Sequence, residues 1–64
     1  MSITLKAARV NVGLTQKEAA KKLGIALDTL GNYERGKSYP DVLIISKMEK
    51  LYGITYNDVD FLRP

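Results

Sequence analysis

Residues 15–36 read TQKEAAKKLGIALDTLGNYERG, and the fold turns on them. Thr15, followed three residues later by Glu18, is a capping-box pair that satisfies two orphan amides at a helix start. Ala19, Ala20 and Leu23 then recur on one face at helical spacing. Gly24 supplies the left-handed conformation that lets the chain leave a helix, and Ile25 follows it as an apolar anchor. Leu30 and Tyr33, three apart, share the inward face of a second helix. The small side chains of Ala19 and Ala20 permit a close crossing, because larger ones would hold the two helices apart. The stretch therefore predicts two short helices, 16–23 and 27–35, joined by a tight turn.

The flanks extend the same pattern. Leu5, Ala8 and Val12 mark the apolar face of a first helix over about 4–12, ended by Gly13. After the loop 36–40, Pro40 disfavours helix at Tyr39, and Asp41 is the expected cap of a helix over about 42–52. Val42, Ile45, Met48 and Tyr52 form its stripe, with Ile44 and Leu51 beside it. Gly53 ends it, and Thr55 with Asp58 forms a second capping pair for a short fifth helix reaching Phe61 or Leu62. No stretch alternates with period two over a useful length, so no sheet is expected. The expectation is an all-α protein: a compact bundle of five short helices, one domain over 1–64, with a helix-turn-helix at about 15–36. In that motif the second helix enters the major groove of DNA.

Composition narrows the function. The 64 residues hold no Cys and no His, so there is no disulfide, no thiolate metal site and no histidine general base. Scattered carboxylates on short helices assemble no acid–base pair, which argues against an enzyme, a metal or a cofactor. The apolar runs are too short to span a membrane. No charged segment followed by an apolar one marks a signal peptide, so a cytoplasmic protein of a bacterial cell or phage-infected host is expected. The net charge is +3. It is uneven: up to Pro40 seven cations face three anions, and beyond it three face four. A basic N-terminal part suits a polyanionic partner.

The pattern L-T-Q-x-E-A-A-x-x-L-G-I from Leu14, T-L-x-x-Y-E-R-G-K from Thr29, and a helix led by Pro40 and ending Y-G-I resembles the phage repressor and Cro-type helix-turn-helix family (lambda repressor-like, XRE). The resemblance runs from Leu5 to about Phe61. It implies double-stranded operator DNA as partner, two-fold dimers, and transcriptional regulation, most often repression. It also implies a structural ion pair between Arg9 and Glu34, and a loop of Arg35, Lys37, Ser38 and Tyr39 lying along the phosphates. Gln16 opens the second helix, where a side-chain amide and free backbone N–H groups suit a phosphate; the family also uses this residue to brace the recognition helix. Lys17 and Asn11 are secondary backbone contacts, whereas Lys21 and Lys22 read as a solvated face.

With Leu30 and Tyr33 turned inward, Leu27, Asp28, Gly31, Asn32 and Arg35 are expected to face the groove. Asn32 is the best base reader, since an amide bonds adenine N6 and N7 together. Leu27 suits a thymine methyl. Asp28 either accepts from cytosine N4 or offsets the helix dipole where Ala26 is a poor cap. Gly31 allows close backbone approach. One helical face cannot bury Val42, Leu43, Ile44 and Ile45 together, so either Leu43 or Ile44 packs under the Tyr39 loop or this surface meets a second subunit; the tail shows the same apolar surplus, and Leu43, Ile44, Tyr56, Val59 and Phe61 are the expected homodimer contacts. The competing reading is a protein-interaction module of the same fold, an antitoxin or anti-repressor with weak or no DNA binding. No membrane or small-molecule partner is indicated.

Overall fold

The computed structural model describes residues 2–61. Four α-helices follow one another: α1 Leu5–Asn11, α2 Gln16–Leu23, α3 Leu27–Glu34 and α4 Val42–Tyr52. One 3-10 turn, Tyr56–Asp58, follows α4. Two short strands, β1 Ile3–Thr4 and β2 Val59–Asp60, pair in parallel with Ile3 opposite Val59 and Thr4 opposite Asp60.

Local chemistry sets most of the helix starts. The Thr4 hydroxyl accepts from the Ala7 amide at 3.1 Å. The Thr15 box closes in both directions: the Glu18 amide donates to the Thr15 hydroxyl at 3.1 Å, and the Thr15 amide donates to the Glu18 carboxylate at 2.9 Å. Asp41 accepts from the Ile44 amide at 2.9 Å. Each bond satisfies an amide that has no carbonyl partner within its helix. Helix α3 starts at Ala26 without a side-chain cap, and Asp28 stands in its first turn, where a carboxylate offsets the dipole. Gly24 takes φ +74°, which brings the Ile25 amide back to the Ala20 carbonyl at 3.0 Å and turns the chain toward α3.

The core is drawn from all four helices and the C-terminal strand. Leu5 and Ala8 of α1, Ala19, Ala20 and Leu23 of α2, Leu30 of α3, and Ile45, Met48 and Tyr52 of α4 are buried, together with Val59 and Phe61. Ala19 and Leu30 have no exposed surface. The α2–α3 crossing is thus the packed centre of the domain, as the two small alanines require.

The C-terminal part corrects two expectations. The Thr55–Asp58 pair forms, with the Thr55 amide and hydroxyl both donating to Asp58 Oδ2 at 3.1 and 3.0 Å. It closes only a single turn, and the chain then extends into β2 rather than continuing as a fifth helix. Val59 and Phe61 point into the core on alternate positions, with Asp60 between them less buried, and β-branched Ile3 and Val59 meet across the ladder. A two-residue strand is too short to show period two in sequence, which is why no sheet was expected. Leu62, the alternative end of that helix, lies outside the described residues. The apolar stripes also need correction. Val12 follows α1 as its C-cap and is 42% exposed, and Val42 is 84% exposed at the start of α4.

Val59 and Phe61, expected at a dimer surface, belong instead to the core of this chain. The Phe61 ring lies between Tyr39, at 5.3 Å between ring centroids, and Tyr56, at 5.5 Å. The two tyrosine hydroxyls are hydrogen-bonded to each other. Phe61→Ala is therefore expected to destabilise the monomer by about 3–5 kcal/mol, whereas Leu43→Ala on exposed α4 surface is expected to stay within about 0.5 kcal/mol. Urea unfolding of the two variants checks the contrast.

Candidate nucleic-acid interface

Helix α3 is held by its last turn. The Glu34 carboxylate is buried and accepts three hydrogen bonds. Arg9 of α1 donates Nε to Oε2 at 2.8 Å and Nη2 to Oε1 at 3.2 Å. Gln16, at the first position of α2, donates Nε2 to the same Oε1 at 3.0 Å. The third arm of the guanidinium, Nη1, donates to the Leu14 carbonyl at 2.7 Å in the α1–α2 turn. One carboxylate thereby joins α1, the turn after it, the start of α2 and the end of α3. Arg9 is 7% exposed and Glu34 6%. Charges so far from water need a forked partner and further hydrogen bonds to offset desolvation, and both are present. Gln16 thus braces α3 with one of the two N–H groups of its side-chain amide.

Tyr52 of α4 lies within electrostatic reach of this pair, and nothing in the spacing of residues 9, 34 and 52 announces it. Its hydroxyl is buried and finds no hydrogen-bond partner among the described residues. Burial first, and then the negative field of Glu34, push its pKa up to about 12, with Arg9 acting in the opposite sense. The Leu14 carbonyl is a second participant without a sequence signal, because backbone acceptors carry none.

With its end fixed, α3 buries Leu30, Gly31 and Glu34 and leaves Leu27, 47% exposed, and Asp28 toward solvent. Asn32 and Tyr33 are half-buried. Gly31, expected on the open face, is covered. The Arg35 guanidinium lies over it, with Nη1, Nη2 and Cζ at 3.0, 3.4 and 3.5 Å from where a Cβ would stand. The same guanidinium donates Nη2 to Asn32 Oδ1 at 2.9 Å. Asn32 and Arg35 therefore form one unit on the solvent side of α3.

The flanking candidates are open to solvent. Lys17, Arg35, Lys37, Ser38 and Asn11 are all exposed. The Lys37 amide donates to the Asn32 carbonyl at 2.9 Å, and the Gly36 amide to the Tyr33 carbonyl at 3.2 Å, so the loop leaves α3 in a fixed direction. Tyr39, expected along the phosphates, packs its ring on Phe61 and directs its hydroxyl to Tyr56, and it stays 47% exposed. That bond raises its pKa. Among the described residues no His, Cys, Asp or Glu cluster of metal-binding size is brought together, and no helix is long and apolar enough to cross a membrane.

Two inward-packed helices around a glycine turn, with the second presented by a buried ion pair, define a helix-turn-helix protein. The helix-turn-helix family model matches residues 5–59, and the chain belongs to that family, of the XRE type. It is 47% identical over 51 residues to the HTH-type transcriptional regulator ImmR of Bacillus subtilis, a match covering 80% of this chain and 40% of that protein. It is 36% identical over 59 residues to an uncharacterized HTH-type transcriptional regulator of Methanocaldococcus jannaschii, covering 92% of this chain and 89% of the relative. A third relative is the SPbeta prophage-derived uncharacterized HTH-type transcriptional regulator YonR of Bacillus subtilis, 36% identical over 58 residues, covering 91% of this chain and 51% of YonR. The chain thus spans less than half of ImmR and about half of YonR. No solved structure matches it at the same stringency.

Two measurements test the site. Glu34→Ala strands the Arg9 charge and is expected to cost about 3–5 kcal/mol in urea unfolding, while the apolar pair Arg9→Met with Glu34→Leu recovers most of that loss. Tyr52 carries the second. Its folded pKa lies above the unfolded value of about 10, so its contribution is complete below pH 10 and declines as pH rises toward 12. Tyr52→Phe removes an unpartnered buried hydroxyl, so its stability at pH 7 is expected to equal or exceed that of the parent. Its stability is also expected to fall less between pH 10 and 12. Thermal melts across that range check both outcomes.

Proposed function

We propose that this protein is a sequence-specific DNA-binding transcriptional regulator, a repressor of the Cro type, that acts in the cytoplasm of a bacterial or phage-infected cell. All 64 residues form the DNA-binding unit, with the motif at 15–36. The observation that carries the reading is the buried Arg9–Glu34–Gln16 network. It fixes the direction of α3 while its polar face stays open, and base readout needs such a rigid helix more than it needs any single contact. Leu27, Asp28, Asn32 and Arg35 face the bases in this reading. Lys17, Lys37, Ser38 and Asn11 approach the phosphates, which set register without carrying sequence information. The names of ImmR and YonR as transcriptional regulators support the same class of function.

A homodimer on operator DNA completes the reading. Two copies of α3 would enter successive major grooves about 34 Å apart. The surface available for pairing is the start of α4 and its neighbour: Leu43 is 66% exposed, Tyr56 46% exposed and Ile44 half-buried, with Val42 beside them. The same exposed residues would serve the competing reading, a module that binds another protein and has little affinity for DNA.

A salt titration separates the two. Neutralising several phosphates predicts a log–log slope of roughly −0.9 per contact; absence of binding to mixed duplex DNA at low salt contradicts the regulator reading. On a selected site, Asn32→Ala is expected to cost about 1–3 kcal/mol and to relax one base position, while Lys37→Ala weakens all sequences alike. Equal loss on selected and random DNA for Asn32→Ala would remove Asn32 from the base-reading set.

A further inference from the structure

Gly31 is a mid-helix glycine, and mid-helix glycine weakens a helix. Its backbone is ordinary helix, so no left-handed conformation calls for it. What it makes is space. The Arg35 guanidinium stands 3.0–3.5 Å from where a Cβ would be, and from that seat it donates to Asn32 Oδ1 at 2.9 Å. An alanine here would displace the tip of a flexible side chain and leave the helix itself unstrained.

The bond changes what Asn32 offers to a base. A free asparagine amide matches adenine because its oxygen accepts from N6 while its nitrogen donates to N7. Here the oxygen is engaged by a guanidinium, and adenine's amino group approaching it would meet the donors of Arg35. The remaining groups of the pair are the Asn32 amide N–H groups and the free N–H groups of Arg35. Guanine presents two acceptors in the major groove, O6 and N7, and Arg is their usual forked partner. We propose that Gly31, Asn32 and Arg35 form a single reading unit that selects guanine, with Gly31 as the seat that keeps Arg35 in register and diverts Asn32 from adenine. It stands as an alternative to the expectation that Asn32 reads adenine by itself, and it rests on the placement of α3 in the major groove proposed above.

The unit makes Gly31 a specificity residue that touches no base. Three proteins are compared by selection from a random duplex pool followed by binding to single-base variants of the selected site: the parent, Gly31→Ala and Arg35→Lys. The parent is expected to prefer guanine over adenine by roughly tenfold or more at one base pair per half-site. Gly31→Ala is expected to melt at a higher temperature, as alanine favours the helix, and at that one base pair to lose the guanine preference or shift it toward adenine. Arg35→Lys keeps the charge but lacks the fork and is expected to lose the preference while retaining affinity for random DNA. If Gly31→Ala and Arg35→Lys both keep the parent's preference at every position, the reading unit is overturned while DNA binding stands. If the parent prefers adenine at the position that Asn32→Ala relaxes, the unit is likewise overturned. If the parent binds no duplex at all, the α3 placement itself fails, and the inference with it.

Discussion

The Glu34 carboxylate is the point on which the rest of the molecule depends. Three donors converge on it from two other segments of the chain, and the arginine that supplies two of them is tied to a backbone carbonyl in a third. In a domain of this size the hydrophobic core is thin, and helices of seven to eleven residues have little stability of their own. Apolar packing brings α2 and α3 together through Ala19, Ala20 and Leu30, yet packing is tolerant of small rotations. A forked ion pair is not, because its bonds weaken steeply with angle. The core therefore supplies stability and the buried pair supplies direction.

That direction is what the DNA reading proposed for α3 needs. Its last turn is fixed by Glu34, and its exit is fixed by the amides of Gly36 and Lys37 returning to α3 carbonyls. Its solvent side is left with Leu27, Asp28, Asn32 and Arg35. Near the pair, the buried hydroxyl of Tyr52 has no hydrogen-bond partner among the described residues. The Tyr39–Phe61–Tyr56 cluster ties the loop after α3 to the C-terminal strand. The N-terminal strand, paired to that strand, leads directly into α1 and Arg9. The short ladder thus links the loop that leaves α3 to the helix that carries Arg9.

How much of this could be read from residues alone divides by the range of the interaction. The capping pairs Thr15–Glu18 and Thr55–Asp58, the Asp41 cap and the glycine turn at Gly24 act within four residues, and each is present where its spacing placed it. Helices α2 and α4 follow from them with the boundaries expected. The strand pair was not legible, since Ile3 and Val59 are far apart in the chain and neither strand is long enough to repeat. Gly31 was misjudged for a related reason. Helical spacing puts it on the outer face, but whether that face is open depends on where the long Arg35 side chain folds. The burial of Val59 and Phe61 was missed because an apolar tail reads the same whether it covers its own core or a partner's. The part of Tyr52 in the ion-pair site had no local signal at all.

The central claim is that α3, held by Glu34, is the surface that meets DNA. Amide NMR of the labelled protein titrated with a short duplex at low salt tests it directly. The account predicts that the largest shifts map to residues 27–37 with Lys17, while the exposed start of α4 at Val42 and Leu43 moves only where a second copy joins. Shifts confined to Val42, Leu43 and Tyr56, with residues 27–37 unmoved, would contradict it.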